Sequence, residues 1–350
     1  MVVRVSRAQF AAIDKQARLD HRYAGPCHKG EYAPHMSTDL YMRGLAPGPN
    51  TGRMVISVVR YGFVPVMMLG IGGAAVLLAR APWAELWMAL LIVLAIAISF
   101  VVERLIPYAA EWNGRSADTG RDVAHAVVNE SAFLLVVLVI PALAVLTPFY
   151  RWWPSAWPFL LQVSFAVVVA DMGITLVHMA SHRIGWLWRL HAVHHSIKRF
   201  YGFNGLMKHP LHGAVELAAG TVPLLIIGLP KSVADALTVL IAVQLLLQHS
   251  NADYRVGPLR YLLALNEGHR FHHLKWAGIG DVNFGLFTLV WDHALRTFSF
   301  DRDRRFHSSD LGMAAKPNYP VGYIAQLAEP FRASGACHFE DVRAAMSDMS

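Results

Sequence analysis

The sequence predicts an all-α, polytopic membrane protein with about four long transmembrane helices, a shorter helical hairpin and a histidine-rich cap on the cytoplasmic side. Hydrophobic residues make up 55% of the 350 residues and charged residues only 16%, and the mean hydropathy is +0.37. Apolar runs recur along the chain, and many of the eighteen histidines lie just beyond them. Because a typical soluble chain has roughly 25% charged residues, this composition argues against a disordered chain and against an ordinary cytosolic globule.

Four apolar runs are long enough to cross a bilayer core of about 30 Å. They cover residues 61–79, 86–102, 132–149 and 157–177. Two shorter runs, 214–229 and 234–247, predict a hairpin that either spans by including flanking residues or re-enters the membrane, and both options return the chain to the side it left. The predicted divisions are a polar cytoplasmic segment (1–53), the first three transmembrane helices (54–156), a histidine-rich region (157–300) and a polar C-terminal tail (301–350).

The basic residues predict the orientation of these helices. Eight Lys and Arg precede Arg60, and the alternate segments after it carry three, five and eleven, whereas the turns between them carry one each. This positive-inside distribution places both termini and the histidine groups in the cytoplasm. No zinc-finger spacing or other nucleic-acid motif accompanies the basic charge, so we attribute it to topology and expect no nucleic-acid partner.

Three groups of histidines lie on the predicted cytoplasmic side. Spacings of three and four residues place side chains on one face of a helix, where several imidazoles can reach one or two metal ions. The predicted hairpin returns the third group to the side of the first two. A single histidine at a membrane boundary is usually an incidental polar residue, but three such groups predict a metal centre. The groups are HMASH (His178, His182), HAVHH (His191, His194, His195) and HRFHH (His269, His272, His273).

The types of donor limit the metal. Neither Cys27 nor Cys337 lies in a histidine group, which disfavours thiolate-bound zinc and iron–sulfur clusters. Neutral imidazole suits iron, copper, zinc and nickel, and so many nitrogen donors favour two ions over one tetrahedral ion. Ligating imidazoles usually donate their other N–H to a carboxylate or a carbonyl. Candidates for such an orienting role are Asp171, Glu267, Asp281 and Asn283.

The order of the histidines resembles that of a known group of enzymes. The pattern H-x3-H, H-x2-HH and H-x2-HH is similar to that of the fatty acid hydroxylase/sterol desaturase superfamily of integral-membrane di-iron oxygenases. The stretches LWRLHAVHHS, KHPLH and NEGHRFHHLK, the last running into DVNFGLFTLVWD, extend the similarity. It covers residues 171–298 and points to the superfamily rather than to one subfamily.

The resemblance implies a centre of two iron (Fe) ions that uses dioxygen (O2) to hydroxylate a C–H bond of a fatty acyl, sterol or related lipid. The predicted ligands are the eight grouped histidines, with His249 after the last apolar run and His209 of KHPLH in addition. Desaturation by the same site is the alternative activity, and a histidine-rich metal transporter is the non-enzymatic alternative. The sequence has no ferredoxin-type cysteine pattern and no HPGG haem motif, so we expect a separate electron-transfer protein or reductase.

Overall fold

The computed structural model describes residues 49–114, 116–144 and 149–332. Apart from isolated β-bridges, the secondary structure of these residues is helical, which confirms the predicted all-α class. The helices are α1 (Pro49–Pro65), α2 (Gly72–Leu78), α3 (Ala84–Leu105), α4 (Thr119–Ala144), α5 (Phe159–Ser181), α6 (Gly185–His195), α7 (Pro210–Ile226), α8 (Lys231–His249), α9 (Asn266–His272), α10 (Val290–Leu295) and α11 (Tyr323–Ala328).

Within the described residues, four helical segments are long and apolar enough to cross a membrane. Three of them, Gly52–Leu78, Ala84–Leu105 and Phe159–Ser181, coincide with predicted runs. The fourth is α8, which the sequence predicts as the shorter second arm of the hairpin, and which reaches 19 residues because polar residues extend the helix at both ends. The remaining predicted run, 132–149, overlaps α4, and its residues 145–148 lie outside the described residues.

The first membrane-spanning segment changes its helical geometry halfway along. Pro65 has no N–H to donate to the preceding turn, and a π-helical turn, Val66–Ile71, follows it and leads into α2. The chain divides into two units, Met1–Ser57 and Val58–Ser350. Of the predicted cytoplasmic segment 1–53, residues 1–48 lie outside the described residues, and the site described below belongs to the second unit.

Helix α8 lies at the centre of the second unit, and most of its side chains are buried. It starts at the same end of the bundle as α3, since the Lys231 ammonium lies 2.7 Å from the Glu85 carboxylate. The 3-10 turn Gly202–Leu206 packs against the other end of α8. A Cβ atom at Gly205 would collide with the Leu245 carbonyl and lie 2.8 Å from Nδ1 of His249, so glycine permits this approach.

Residues 301–332, where the sequence predicts a polar tail, fold against the histidine-rich region. Gln326 of α11 is buried, and its side chain bonds to Ser196 after α6 (3.1 Å) and to His125 of α4 (3.0 Å). Lys198 donates a hydrogen bond to the Leu311 carbonyl at 3.2 Å. This segment therefore covers one side of the histidines, and the rest of the predicted tail, 333–350, lies outside the described residues.

Candidate metal centre

Five buried histidines converge from α5, α6 and α9, and we name them cluster A. One nitrogen of each lies within 4.8 Å of the corresponding nitrogen of every other. Several Nε2 atoms approach one another to 3.0–3.1 Å. The imidazole tips of three separate stretches of backbone thus meet at one point. The members of cluster A are His178, His182, His191, His195 and His272.

Four further buried histidines form cluster B, which contains His194, His249, His269 and His273. The Nε2 atom of His273 lies 3.2 Å from Nε2 of both His249 and His269. The two clusters are neighbours, because the rings of His273 and His195 stack with their centroids 4.6 Å apart. Nine of the ten predicted ligands therefore meet in two adjacent groups.

The helical period explains how one H-x2-HH motif serves both clusters. Successive residues of an α-helix point about 100° apart, whereas residues four apart share a face. In α6, His191 and His195 face cluster A and His194 faces cluster B. Around α9 the division is reversed, with His272 in cluster A and the other two histidines of its motif in cluster B.

Hydrogen bonds from Nδ1 to main-chain carbonyls fix the orientation of three imidazoles, each at 2.9 Å. Because a carbonyl oxygen can only accept, these rings carry a proton on Nδ1, and in the neutral ring the lone pair is then on Nε2. The lone pairs consequently point into the clusters. The pairs are His178 with Phe284, His194 with Met207, and His272 with Val282.

Burial keeps the imidazoles neutral. It lowers the pKa of His194 to about 3, with Lys208 adding to the effect. Burial and the neighbouring histidines also hold the pKa well below its usual value at His191, His195, His269, His272 and His273. Neutral lone pairs that face each other at 3.0–3.2 Å repel unless a cation lies between them. The nitrogen donor sets of both clusters therefore fit metal ions that favour imidazole.

The predicted carboxylate Asp281 lies against cluster A. Its Oδ1 atom is 2.8 Å from Nδ1 of His182, so it can accept the proton of that ring and direct the Nε2 lone pair inward. Asn283, also predicted to have an orienting role, lies between the two residues whose carbonyls orient His178 and His272. It adopts φ 55°, and its side chain bonds to the main chain of Gly268 and Ser299.

Asp292, which sequence reasoning did not select as a site residue, holds the same loop. Its carboxylate accepts hydrogen bonds from the N–H groups of Phe284 and Gly285, both at 2.8 Å, and from the Thr297 hydroxyl at 2.6 Å. Asp292 thereby fixes the peptide whose carbonyl orients His178. Its only sequence signal was the Trp-Asp pair at the end of the family-like stretch.

Two other predicted orienting residues contact different partners. Asp171 of α5 accepts a hydrogen bond from the Phe287 N–H at 2.7 Å, together with bonds from nearby side chains, and so anchors the following part of the loop to α5. Glu267 forms ion pairs at 3.3 Å with Arg255 and Arg260. Both carboxylates therefore brace the surroundings of the clusters.

The structure does not bring His209 to either cluster. Its Nδ1 accepts a hydrogen bond from the Leu211 N–H at the start of α7, and its Nε2 lies 3.2 Å from the Leu327 carbonyl. His212, one turn further along, lies beside cluster A instead, with its ring 4.5 Å from that of His191. His191, His212 and Glu216 form a third group of close donor atoms. Both histidines belong to the KHPLH stretch, and the direction of α7 decides which of them reaches cluster A.

Two cavities lie near the clusters. The first, of about 130 Å³, is lined by His182, His195 and His272 of cluster A, by apolar side chains such as Trp188, and by charged residues such as Lys275. The second, of about 150 Å³, lies among α4, α5, α7 and α8, and its walls are mainly apolar. Its polar part includes the buried ion pair of Lys208 and Glu216.

The comparisons with known proteins agree with this geometry. The profile of the family described as fatty acid hydroxylase matches residues 163–297. Ornithine lipid hydroxylase OlsE of Rhizobium tropici is 31% identical over 298 residues, which cover 82% of this chain and 88% of that protein. The chain belongs to the fatty acid hydroxylase family. All nine clustered histidines fall within the matched residues of the fatty acid hydroxylase region.

Alkylglycerol monooxygenases are similar over a shorter stretch. The protein of Danio rerio is 29% identical over 155 residues, and that of Caenorhabditis elegans is 25% identical over 150 residues. These matches cover 43% of this chain but only 33% and 28% of the two monooxygenases. No solved structure matches the chain. The relatives of this fatty acid hydroxylase family member are thus lipid hydroxylases and monooxygenases, which supports an integral-membrane oxidoreductase that hydroxylates lipids.

Proposed function

We propose that the protein is a di-iron, dioxygen-dependent enzyme that hydroxylates a C–H bond of an amphiphilic membrane lipid. The observation that carries the proposal is the pairing of neutral, buried Nε2 atoms in two adjacent clusters of five and four histidines. Two neighbouring groups of nitrogen donors suit two ions, and imidazole is a common ligand of iron. The names of the relatives, hydroxylase and monooxygenase, favour hydroxylation over desaturation.

The protein's own residues would prepare and protect this centre. Bound iron would supply the redox chemistry by which one oxygen atom of dioxygen enters the C–H bond and the other leaves as water, with two electrons from the external donor and two protons. The carbonyls of Val282 and Phe284 orient their histidines, and Asp281 orients His182. The nine imidazoles are almost completely buried. Their packing excludes bulk water, and the first cavity, which His182, His195 and His272 line, provides an approach to cluster A.

The two cavities suit the two parts of an amphiphile. The relatives are named for an ornithine lipid and for alkylglycerols, both of which combine a polar group with hydrocarbon. The first cavity offers charged side chains next to histidines of cluster A, and the apolar cavity among the helices offers a place for a hydrocarbon chain. We therefore propose a polar lipid, of the ornithine-lipid kind, as the substrate class.

The position of the clusters supports enzymatic chemistry over metal transport. Both lie at helix ends rather than in a row along a membrane-spanning helix, and residues 312–316, 329, 330 and 332 line the cavity beside cluster A. The positive-inside distribution supports a cytoplasmic location for the clusters and both termini. Electrons would then come from a separate cytoplasmic or membrane-bound donor.

Metal content and oxygen incorporation test the proposal together. We expect about two iron ions per chain in protein purified from iron-supplemented cells, as two imidazole clusters require. With a chemical reductant and isotopically labelled dioxygen, mass spectrometry of added ornithine lipid should show the gain of one labelled oxygen atom. His272→Ala should lose both properties, whereas His293→Ala, which changes an exposed histidine, should keep them. A folded protein without bound metal, or unlabelled product, would contradict the proposal.

A further inference from the structure

A second polar site lies on the far side of α9 from the histidine clusters. It is a cavity of about 480 Å³ between α9, the loop 252–261 and residues 300–306. Asn266 and Arg270, one helical turn apart, line it, whereas the histidines of the same helix face the clusters. The short helix α9 thus separates two chemically different sites.

Arg270 supplies a buried cation to this cavity. Only 3% of its surface is exposed. Its guanidinium lies 3.8 Å from the centre of the Tyr108 ring and donates one hydrogen bond of 3.3 Å to the Ser250 carbonyl. Its Nε–H has no hydrogen-bond acceptor among the described residues. A buried guanidinium with an unused donor is unfavourable unless a ligand or water satisfies it, and this one lines a large polar cavity.

The cavity has an excess of positive charge. Six arginines line it, against three carboxylates. Two of these carboxylates are already shared, since Asp253 pairs with Arg60 and Arg255, and Glu267 pairs with Arg255 and Arg260. The other lining arginines are Arg270, Arg302, Arg304 and Arg305, of which Arg304 pairs with Asp310.

Two of these arginines are exposed at the cavity. Arg302 and Arg305 lie in the loop after Phe300, and neither forms an ion pair with any residue that the structure describes. Together with the buried Arg270 they provide guanidinium groups at both the exposed and the buried wall. Planar guanidinium groups bind phosphate oxygens through paired hydrogen bonds, which makes arginine the usual residue for phosphate recognition.

We propose that this cavity binds a phosphate group, held by Arg270 at the buried wall and by Arg302 and Arg305 at the exposed wall. Its volume exceeds that of inorganic phosphate and leaves room for an attached organic group. The phosphate can belong to a phospholipid headgroup or to a soluble phosphate compound. Exposed Leu259, Tyr261 and Leu262 beside the cavity provide an apolar surface that suits the lipid source. The site is separate from the proposed hydroxylation, since it uses none of the clustered histidines.

Calorimetric titration tests the binding directly. Purified full-length protein in a non-ionic detergent is titrated with sodium pyrophosphate, and saturable binding is expected. Arg302→Ala/Arg305→Ala should weaken it at least about tenfold, because each arginine contributes charge-assisted hydrogen bonds. Arg270→Lys keeps the charge but loses the paired geometry and should also weaken binding. The matched control, Arg53→Ala/Arg104→Ala, removes two exposed arginines outside the cavity and should bind as wild type does.

Competition identifies the source of the phosphate. If soluble short-chain phosphatidylglycerol displaces pyrophosphate at lower concentration than inorganic phosphate does, the site recognises a lipid headgroup. The reverse order assigns it to a soluble phosphate compound. Absence of saturable binding, or equal weakening in the Arg302/Arg305 variant and the control, would overturn the proposal. Because binding is measured without turnover, the result does not depend on whether the enzyme hydroxylates a lipid.

Discussion

Asp292→Asn is the substitution that most directly tests how the loop beside cluster A orients its histidines. The carboxylate accepts three hydrogen bonds, from the N–H groups of Phe284 and Gly285 and from the Thr297 hydroxyl. Asparagine has nearly the same shape but only one acceptor oxygen. Whichever way the amide is turned, its NH2 group faces at least one donor. The Phe284 peptide, whose carbonyl accepts the Nδ1–H of His178, then loses part of its support.

The size of the effect follows from the three bonds. Bonds to a charged acceptor are stronger than neutral ones by about 1 kcal/mol each, and a buried donor left without an acceptor costs about 1–3 kcal/mol. Burial raises the pKa of Asp292, so the ionised side chain carries a desolvation cost that asparagine avoids. The lost hydrogen-bond energy exceeds the desolvation cost that asparagine avoids, so we expect Asp292→Asn to lower the free energy of unfolding by about 2 kcal/mol. Metal affinity should fall roughly 10- to 100-fold, as for other residues that orient ligands.

The assay combines thermal unfolding in detergent, followed by tryptophan fluorescence, with a chelator titration of bound iron. The matched control is Asp235→Asn, which neutralises another buried carboxylate, at the opposite end of α8, where it pairs with Lys231 at 2.8 Å. The control should lose stability while holding iron as tightly as wild type. If Asp292→Asn also held iron with wild-type affinity, the orienting role of the Phe284 carbonyl would be refuted.

Four further substitutions have expected outcomes. His273→Ala should lose iron from cluster B while the protein still inserts into the membrane, whereas His209→Ala should keep full metal content by elemental analysis; metal loss in His209→Ala would show that His209 contributes to metal binding. Gly205→Ala should displace His249 and lower both the unfolding temperature and the iron content, because the added Cβ collides with α8; an unchanged unfolding temperature would contradict that contact. Burial lowers the pKa of His125 to about 4, so the stabilisation from its neutral form is complete above the unfolded value of about 6.5 and is lost as the pH falls toward 4. His125→Asn removes this titrating group. When the pH falls from about 6.5 to 4, the unfolding temperature of the variant should therefore fall less than that of the wild type, by an amount that corresponds to about one proton. Parallel curves of unfolding temperature against pH for the two proteins would refute this.

The sequence by itself determined the membrane class and most of the donor set. Run length and the scarcity of charge indicate spanning helices because a bilayer admits only long apolar segments with internal hydrogen bonds. The spacing within each histidine group is a local property, because the helical period alone puts such side chains on a shared face. For this reason the eight grouped histidines could be named as candidate donors before any fold was known.

Only the tertiary structure decided how those histidines are divided. The separation of His194 from His191 and His195 into different clusters depends on which neighbours α6 meets, and the place of His249 depends on the packing of α8. The same is true of KHPLH, where the direction of α7 brings His212 rather than His209 to cluster A. These outcomes arise from contacts between residues far apart in the chain, and spacing along the chain carries no information about them.

The orienting carboxylates show the same limit. Asp171 lies seven residues before His178, so the helical period places both on nearly the same face, yet its carboxylate bonds to the loop at 287–288. Asp292 supports the loop at Phe284, because a buried carboxylate takes the donors that the fold places around it. Residue type and helical period therefore determined which groups could bind metal in this protein. Long-range packing decided which of them meet, because spacing along the chain fixes the position of a side chain only relative to its own helix.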